Sequence, residues 1–366
     1  MHGTLTRRWP PVGNALRGVS SGALRGVSRP GILAAVVLAI LLQSSRAEDT
    51  VVFSTGKDGQ IRSQKQGIIL EFTGVELKVR SSLGREETIP ADRVLEIRTT
   101  WTAAHQSGDA LRAAGKLPEA IAAYRQAKRD EMRPWAVRRI MASLVGAYFE
   151  SGRIDAAGDE FLGIVASDPT TQYYEVIPLA WRTFPADATL EARAETWLRA
   201  ERFPAAVLLG GSWLQSGSRR SDALAALQKL TLEKDPRIAA LAEMQLWRTR
   251  IVTAPEAEVQ KWPALAEKMP AEIRAGGYFV AGEALARREQ AEPAALAYLR
   301  VPLLHGVQKV LAADALLAAG KQLEKLDRLS QAATLYREIV ADYAACPAGV
   351  EARQRLTALA EVASAK

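Results

Sequence analysis

Few side chains in this 366-residue chain are spaced to do chemistry. Of its three histidines, His2 lies in a basic leader, leaving His105 and His305. Neither stands in an H-E-x-x-H pattern or beside an acid at metal-ligand spacing. The single cysteine, Cys346, cannot close an internal disulfide and reads as a small, partly buried residue before Pro347. Ser212 ends the run Leu209-Gly210-Gly211-Ser212, which is not a G-x-S-x-G. It also sits in a helical pattern, where the strand-to-helix elbow of a nucleophile does not form, so the glycines read as close helix packing. Glu86-Glu87 and Asp130-Glu131 are adjacent in sequence and so do not converge on one substrate atom. Asp130 and Glu131, among Lys128, Arg129 and Arg133, are expected to be solvated. No G-x-x-x-x-G-K-[ST] loop is present to cradle a phosphate. These residues give no catalytic assignment, no metal and no cofactor, and the chain is expected not to be an enzyme.

Tryptophan is the remaining candidate, with eight in a chain of only 6% aromatic residues. A row of exposed indoles would stack on sugar rings or grip apolar side chains. Plugging gaps between alanine-rich helices is the commoner use. Trp135, after Pro134, and Trp262, before Pro263, fall at helix ends and are the better candidates for exposure.

The elements that would position such groups follow from charge and periodicity. A net charge of +7 suggests a polyanion partner only until it is divided along the chain. Six of the 48 basic residues lie in residues 1–47, where there is no acid, and the remainder balances 42 bases against 41 acids. Nucleic-acid binding is therefore not expected. Arginines precede a twelve-residue apolar run, Gly31 to Leu42, and Ser45-Arg46-Ala47 follows as a small-x-small site. This reads as a signal peptide over 1–47, cleaved after Ala47, with export to the periplasm or cell envelope. As a helix the run spans roughly 18 Å, short of the roughly 30 Å hydrocarbon core, so a retained membrane anchor is the lesser reading.

Residues 48–99 alternate with period two. Ile68, Leu70 and Phe72, then Val75, Leu77 and Val79, flank a Thr73-Gly74 turn, with Val51 to Phe53 before and Ile89 to Ile97 after. The strand count and spacing are similar to those of small SH3-like or Sm-like barrels. From residue 100 to 366 the chain reads as helices, punctuated by proline at their starts.

Within that half one spacing recurs four times. It runs Ala104, Ser107, Gly108, Leu111, Ala120, Tyr124; then Met141, Leu144, Val145, Tyr148, Ala157, Phe161. It returns as Tyr278, Ala281, Gly282, Leu285, Ala294, Tyr298 and as Leu316, Ala319, Gly320, Leu323, Ala332, Tyr336. Only the second copy adds a proline, Pro169, and none opens with Trp. This resembles the tetratricopeptide repeat, whose signature is W-x2-L-G-x2-Y, A-x3-F and a following Pro. Between Pro169 and Tyr278 the pattern decays to Ala206, Gly210 and Trp213.

The resemblance implies a mainly α fold: an α-solenoid of helical hairpins over 100–366, behind the small antiparallel β-domain. It also implies that first helices of successive hairpins line a concave groove. Residues just after the first marker, and four and seven further on, then face inward: His105, Asp109 and Arg112 in the first copy, Ala142, Gly146 and Phe149 in the second. Such a groove suits protein or peptide partners better than a polyanion. The expected function is an exported scaffold or adaptor for envelope assembly. The rival readings are a membrane-anchored assembly factor, and a carbohydrate- or small-ligand-binding protein that uses exposed tryptophan.

Overall fold

Five short strands precede a long run of helices, and each set of elements can be traced to local rules. The computed structural model describes residues 48–56, 61–182 and 187–364, in two units that divide after Trp101. The leader, its apolar run and the cleavage site lie outside the described residues. No helix among the described residues is long and apolar enough to cross a membrane.

The first unit is one antiparallel sheet built from β1 (Asp49–Thr55), β2 (Ile61–Phe72), β3 (Glu76–Arg80), β4 (Glu86–Pro90) and β5 (Val94–Arg98), in the order β4-β3-β2-β1-β5. A 3-10 turn, Ala91–Arg93, separates the last two strands. The long strand β2 serves two neighbours: Ile61 to Gly67 pair with β1, and Ile68 to Phe72 pair with β3. Gly67 sits at the changeover, where a Cβ would collide with the Arg80 carbonyl. The core is Val51, Ile69, Phe72, Leu77, Val79, Ile89 and Val94. Here the expected alternation is corrected. Ile69, not Ile68, is buried, because the register shifts between Ile69 and Glu71 and a bulge moves one residue out of phase. Val75 is exposed, one residue before β3 begins.

The second unit is helical. It opens with α1 (Ala103–Ala113), α2 (Leu117–Asp130), α3 (Pro134–Glu150) and α4 (Ile154–Ser167). After an irregular segment come α5 (Ala188–Leu198), α6 (Pro204–Trp213), α7 (Arg220–Leu230) and α8 (Pro236–Thr249). The short α9 (Glu256–Val259) and α10 (Trp262–Lys268) lead to α11 (Arg274–Ala286), α12 (Ala291–His305), α13 (Lys309–Lys325), α14 (Leu329–Asp342) and α15 (Ala348–Ser364). Proline occupies the first turn of α2, α3, α6, α8 and α10, where its missing N–H costs no helical bond. Pro302, inside α12, departs from that rule.

All four repeat copies end their first helix in the same way. Gly115, Gly152, Glu289 and Asp327 adopt φ of 72°, 77°, 58° and 56°. The next residue's N–H reaches back five positions: Lys116 to Leu111, Arg153 to Tyr148, Gln290 to Leu285 and Arg328 to Leu323, at 2.9 to 3.1 Å. This is the Schellman ending, and it turns the chain back along the helix just finished. The partner helix then sets its aromatic ring on the small residue. A Cβ at Gly108, Gly282 or Gly320 would come within 3.0 Å of Tyr124, Tyr298 or Tyr336 respectively. In the second copy Val145 and Phe161 fill the equivalent places, both buried.

Consecutive helices stack in chain order from α1 to α4 and from α10 to α15. Elements far apart in sequence also meet, since α3 packs against α13 and the Glu175 carbonyl accepts from Gln308 Nε2 at 2.6 Å. In the middle pair the small residues change places. Gly210 lies against the backbone of Ala194 and Leu198, so α5 and α6 approach without any ring between them.

The interlock predicts that Gly320→Ala destabilises the protein by about 1–3 kcal/mol, because the Tyr336 ring has no room to retreat. Chemical denaturation measures it. Asp327→Gly should raise stability by about 1 kcal/mol in the same assay, by relieving a left-handed residue that carries a Cβ.

Candidate functional site

Residues of α1 and α3 that the resemblance turns towards a groove are joined into one polar cluster. Asp109 accepts from the Tyr124 hydroxyl at 2.6 Å and lies 3.9 Å from His105 Nε2. Burial, reinforced by the Asp109 carboxylate, holds the Tyr124 phenol well above its ordinary pKa. One turn further along α1, the Arg112 guanidinium crosses to α3 and meets Glu150 at 2.6 Å. Gly146 makes that crossing possible, since a Cβ there would occupy the space of the guanidinium. The Arg112 and Glu150 side chains are only 18% and 9% exposed, so this ion pair is held within the packing.

Of the six residues expected to face the groove, His105, Asp109 and Arg112 share this cluster, Gly146 underlies the Arg112 guanidinium and Ala142 is buried. Phe149, on α3, is half-buried against the core. His105 is not a surface residue: it is 3% exposed, with its ring tilted against Tyr124 at 5.9 Å. Burial pushes its imidazole below the usual value against the opposing pull of Asp109. Asp109 is the accessible member. Glu150, the partner of Arg112, and Tyr124, the partner of Asp109, were not among the groove residues expected from the sequence, although Tyr124 stands in the repeat pattern.

A second group of charges gathers on α11, α13, α15 and the end of the irregular segment. Arg182 pairs with Asp314 at 2.8 Å, and Lys321 with Glu351 at 2.6 Å. Burial raises the pKa of both Asp314 and Glu283, despite the nearby Arg182. Glu131 also departs from expectation. It is buried, and although burial works to raise its pKa, hydrogen bonds from Arg133 hold the carboxyl below the ordinary range.

The irregular segment between Asp168 and Arg182 fixes the role of Ser212. Residues Ile177 to Trp181 run without helical bonds of their own yet are buried. The Ile177 and Leu179 N–H groups donate to the backbone carbonyls of Tyr174 and Ile177, and side chains satisfy the polar atoms of Pro178 and Ala180. The Ala180 N–H donates to Ser212 Oγ at 2.9 Å, and the Ala180 carbonyl accepts from Gln245 Nε2 at 3.1 Å and from Arg248. The Pro178 carbonyl accepts from Trp213 Nε1 at 2.9 Å. Ser212 donates onward to Gln245 Oε1, so its hydroxyl is engaged on both sides and has no base beside it. Arg248 is held by the Ala180 and Ser212 carbonyls and by Gln245, and burial brings its pKa down to about 10.

Of the seven tryptophans among the described residues six are buried, and Trp101 is half-buried. Trp135 and Trp262, expected to be exposed, are 3% and 0% exposed, and Trp262 lies flat on Trp247 at 5.2 Å. Helix ends are buried here because neighbouring hairpins cover them. Trp181 fills the space over Gly276, and Trp197 covers Gly158 while donating to Asp159. Cys346 is buried, which pushes its thiol up to about 11. Among the described residues no group of three or more His, Cys, Asp or Glu is placed to hold a metal ion.

No protein-family model matches the chain, and no curated protein matches it significantly.

His305 supplies a pH dependence. Burial, with Arg274 nearby, pushes its pKa down to about 4, whereas an unfolded histidine titrates near 6.5. Above pH 6.5 both states are neutral, and its contribution is fully present. As pH falls from 6.5 towards 4 only the unfolded state takes up the proton, so stability is lost over that window. Urea midpoints measured from pH 7.5 to 4 should fall, and His305→Gln should reduce the slope.

Proposed function

We propose that this chain is an exported, non-enzymatic scaffold that binds protein or peptide partners through a tetratricopeptide-like α-solenoid. The observation that carries the reading is the repeated hairpin. Four copies share one Schellman ending, and each sets an aromatic residue at one fixed distance beyond a small or apolar position. A unit reused in this way builds an extended face rather than a single reaction centre. The small five-stranded antiparallel sheet keeps a strand count similar to that of SH3-like or Sm-like barrels. The leader over residues 1–47 supports delivery to the periplasm or cell envelope.

On this reading Asp109 and Phe149 meet the partner, while Arg112, locked to Glu150, and His105, beneath Asp109, position them. An exposed acid on α1 and a half-buried aromatic ring on α3 suit a peptide that carries a basic and an apolar side chain.

A photo-crosslinking residue placed at Asp109 or Phe149 in the intact cell should give discrete protein adducts. Their yield should be several-fold above that at Arg125 or Glu338, which are exposed on second helices. Equal yields at all four positions would remove the inner face as the binding surface.

A further inference from the structure

We propose that the chain forms a two-fold symmetric dimer in which α12 of one copy lies antiparallel on α12 of a second, centred on Leu296. The outward face of α12 is unlike those of other second helices. The exposed residues of α2 include Glu119, Arg125, Gln126 and Arg129. On α12, by contrast, Leu296 and Leu303 are 62% and 64% exposed, and the half-buried Leu299 lies between them on the same side. Leu296 stands on a ridge between two shallow grooves of about 370 and 380 Å³, one towards α10 and one towards α14, and it lines both. The second groove has an apolar floor that includes Leu323, Leu326 and Leu335. A ridge flanked by an open groove on each side is a shape that a second copy of the same ridge can enter.

Charge selects that occupant and its direction. Glu292 lies one turn before Leu296 and Arg300 one turn after it, on one face of the helix. When two such helices cross antiparallel about Leu296, each Glu292 faces the other copy's Arg300, so both ends of the contact are complementary. A parallel arrangement would set like charges against each other. Arg300 is available for this: it lies over the Tyr278 ring at 5.1 Å, and among the described residues it makes no carboxylate ion pair. Glu292 pairs with Arg328 at 2.9 Å, but both side chains are about half exposed. Such a surface pair is worth little and exchanges readily. Isologous two-fold contacts are also the commonest way a soluble chain covers an apolar face.

Sedimentation velocity on the full chain tests the proposal. The wild type should sediment as a dimer at micromolar concentration, and Leu296→Asp as a monomer. Glu292→Arg and Arg300→Glu should each weaken self-association by about tenfold or more, because each sets like charges face to face. Mixed together, those two variants should form a heterodimer, since every cross-pair is then attractive. That rescue also shows that both variants are folded. A wild type that stays monomeric up to about 100 μM overturns the proposal, as does a dimer indifferent to Leu296→Asp. Two charge variants that fail to associate with one another overturn the antiparallel arrangement.

Discussion

When a residue just past the end of a first helix enters left-handed backbone, the chain can double back only along the helix it has just completed. Gly115, Gly152, Glu289 and Asp327 impose that reversal at the same place in four hairpins. The returning helix is then placed so closely that its ring and the first helix's small residue must share one space. Neither half of the arrangement is useful alone. Without the reversal the ring has no fixed target, and at Gly108, Gly282 and Gly320 the missing Cβ leaves the room that the ring fills, while Ala120, Ala294 and Ala332 are fully buried in the same hairpins. Because aromatics are few, most of this core is alanine and leucine, so close approach substitutes for bulk.

Where the hairpin rule lapses, between α4 and α5, the structure depends on polar satisfaction instead. The backbone from Ile177 to Trp181 is withdrawn from water without a ladder of its own, and the cost of an unmet carbonyl or N–H is the largest penalty in that region. Ser212, Gln245 and Arg248 meet it. Their polarity, which in isolation suggests chemistry, is used up in holding backbone. The same holds for Arg112 and Glu150, which tie the first hairpin to the second.

The hairpins were legible in the sequence because their defining contacts are local: the small residue and the ring are always sixteen positions apart, within one stretch of helical periodicity. The reversal itself was half legible. Glycine at 115 and 152 announces it, but nothing about a glutamate at 289 or an aspartate at 327 predicts left-handed backbone. Ile68 was assigned to the wrong face because a bulge leaves no mark in hydrophobic alternation. Trp135 and Trp262 were misjudged because exposure at a helix end depends on which neighbour covers it. For the candidate site, the resemblance to the tetratricopeptide repeat assigned Asp109 and Arg112 to the same face. It could not reveal that the Tyr124 ring buries His105, or that Arg112 is taken by a partner 38 residues away. The irregular segment was invisible for a related reason. Its partners come 32, 65 and 68 residues later, and no short-range pattern records them.

That segment changes how the helical unit comes apart. In a simple stack each pair touches only its neighbours, so a terminal pair can fray while the rest persists. Here α6 and α8 grip Ala180, Trp181 fills a hollow in α11, and Arg182 reaches Asp314 on α13. Loosening any one of these helices strands buried backbone that the others were also holding. The central and later hairpins are thereby bound into one cooperative block, which melts as a whole rather than unzipping from its end.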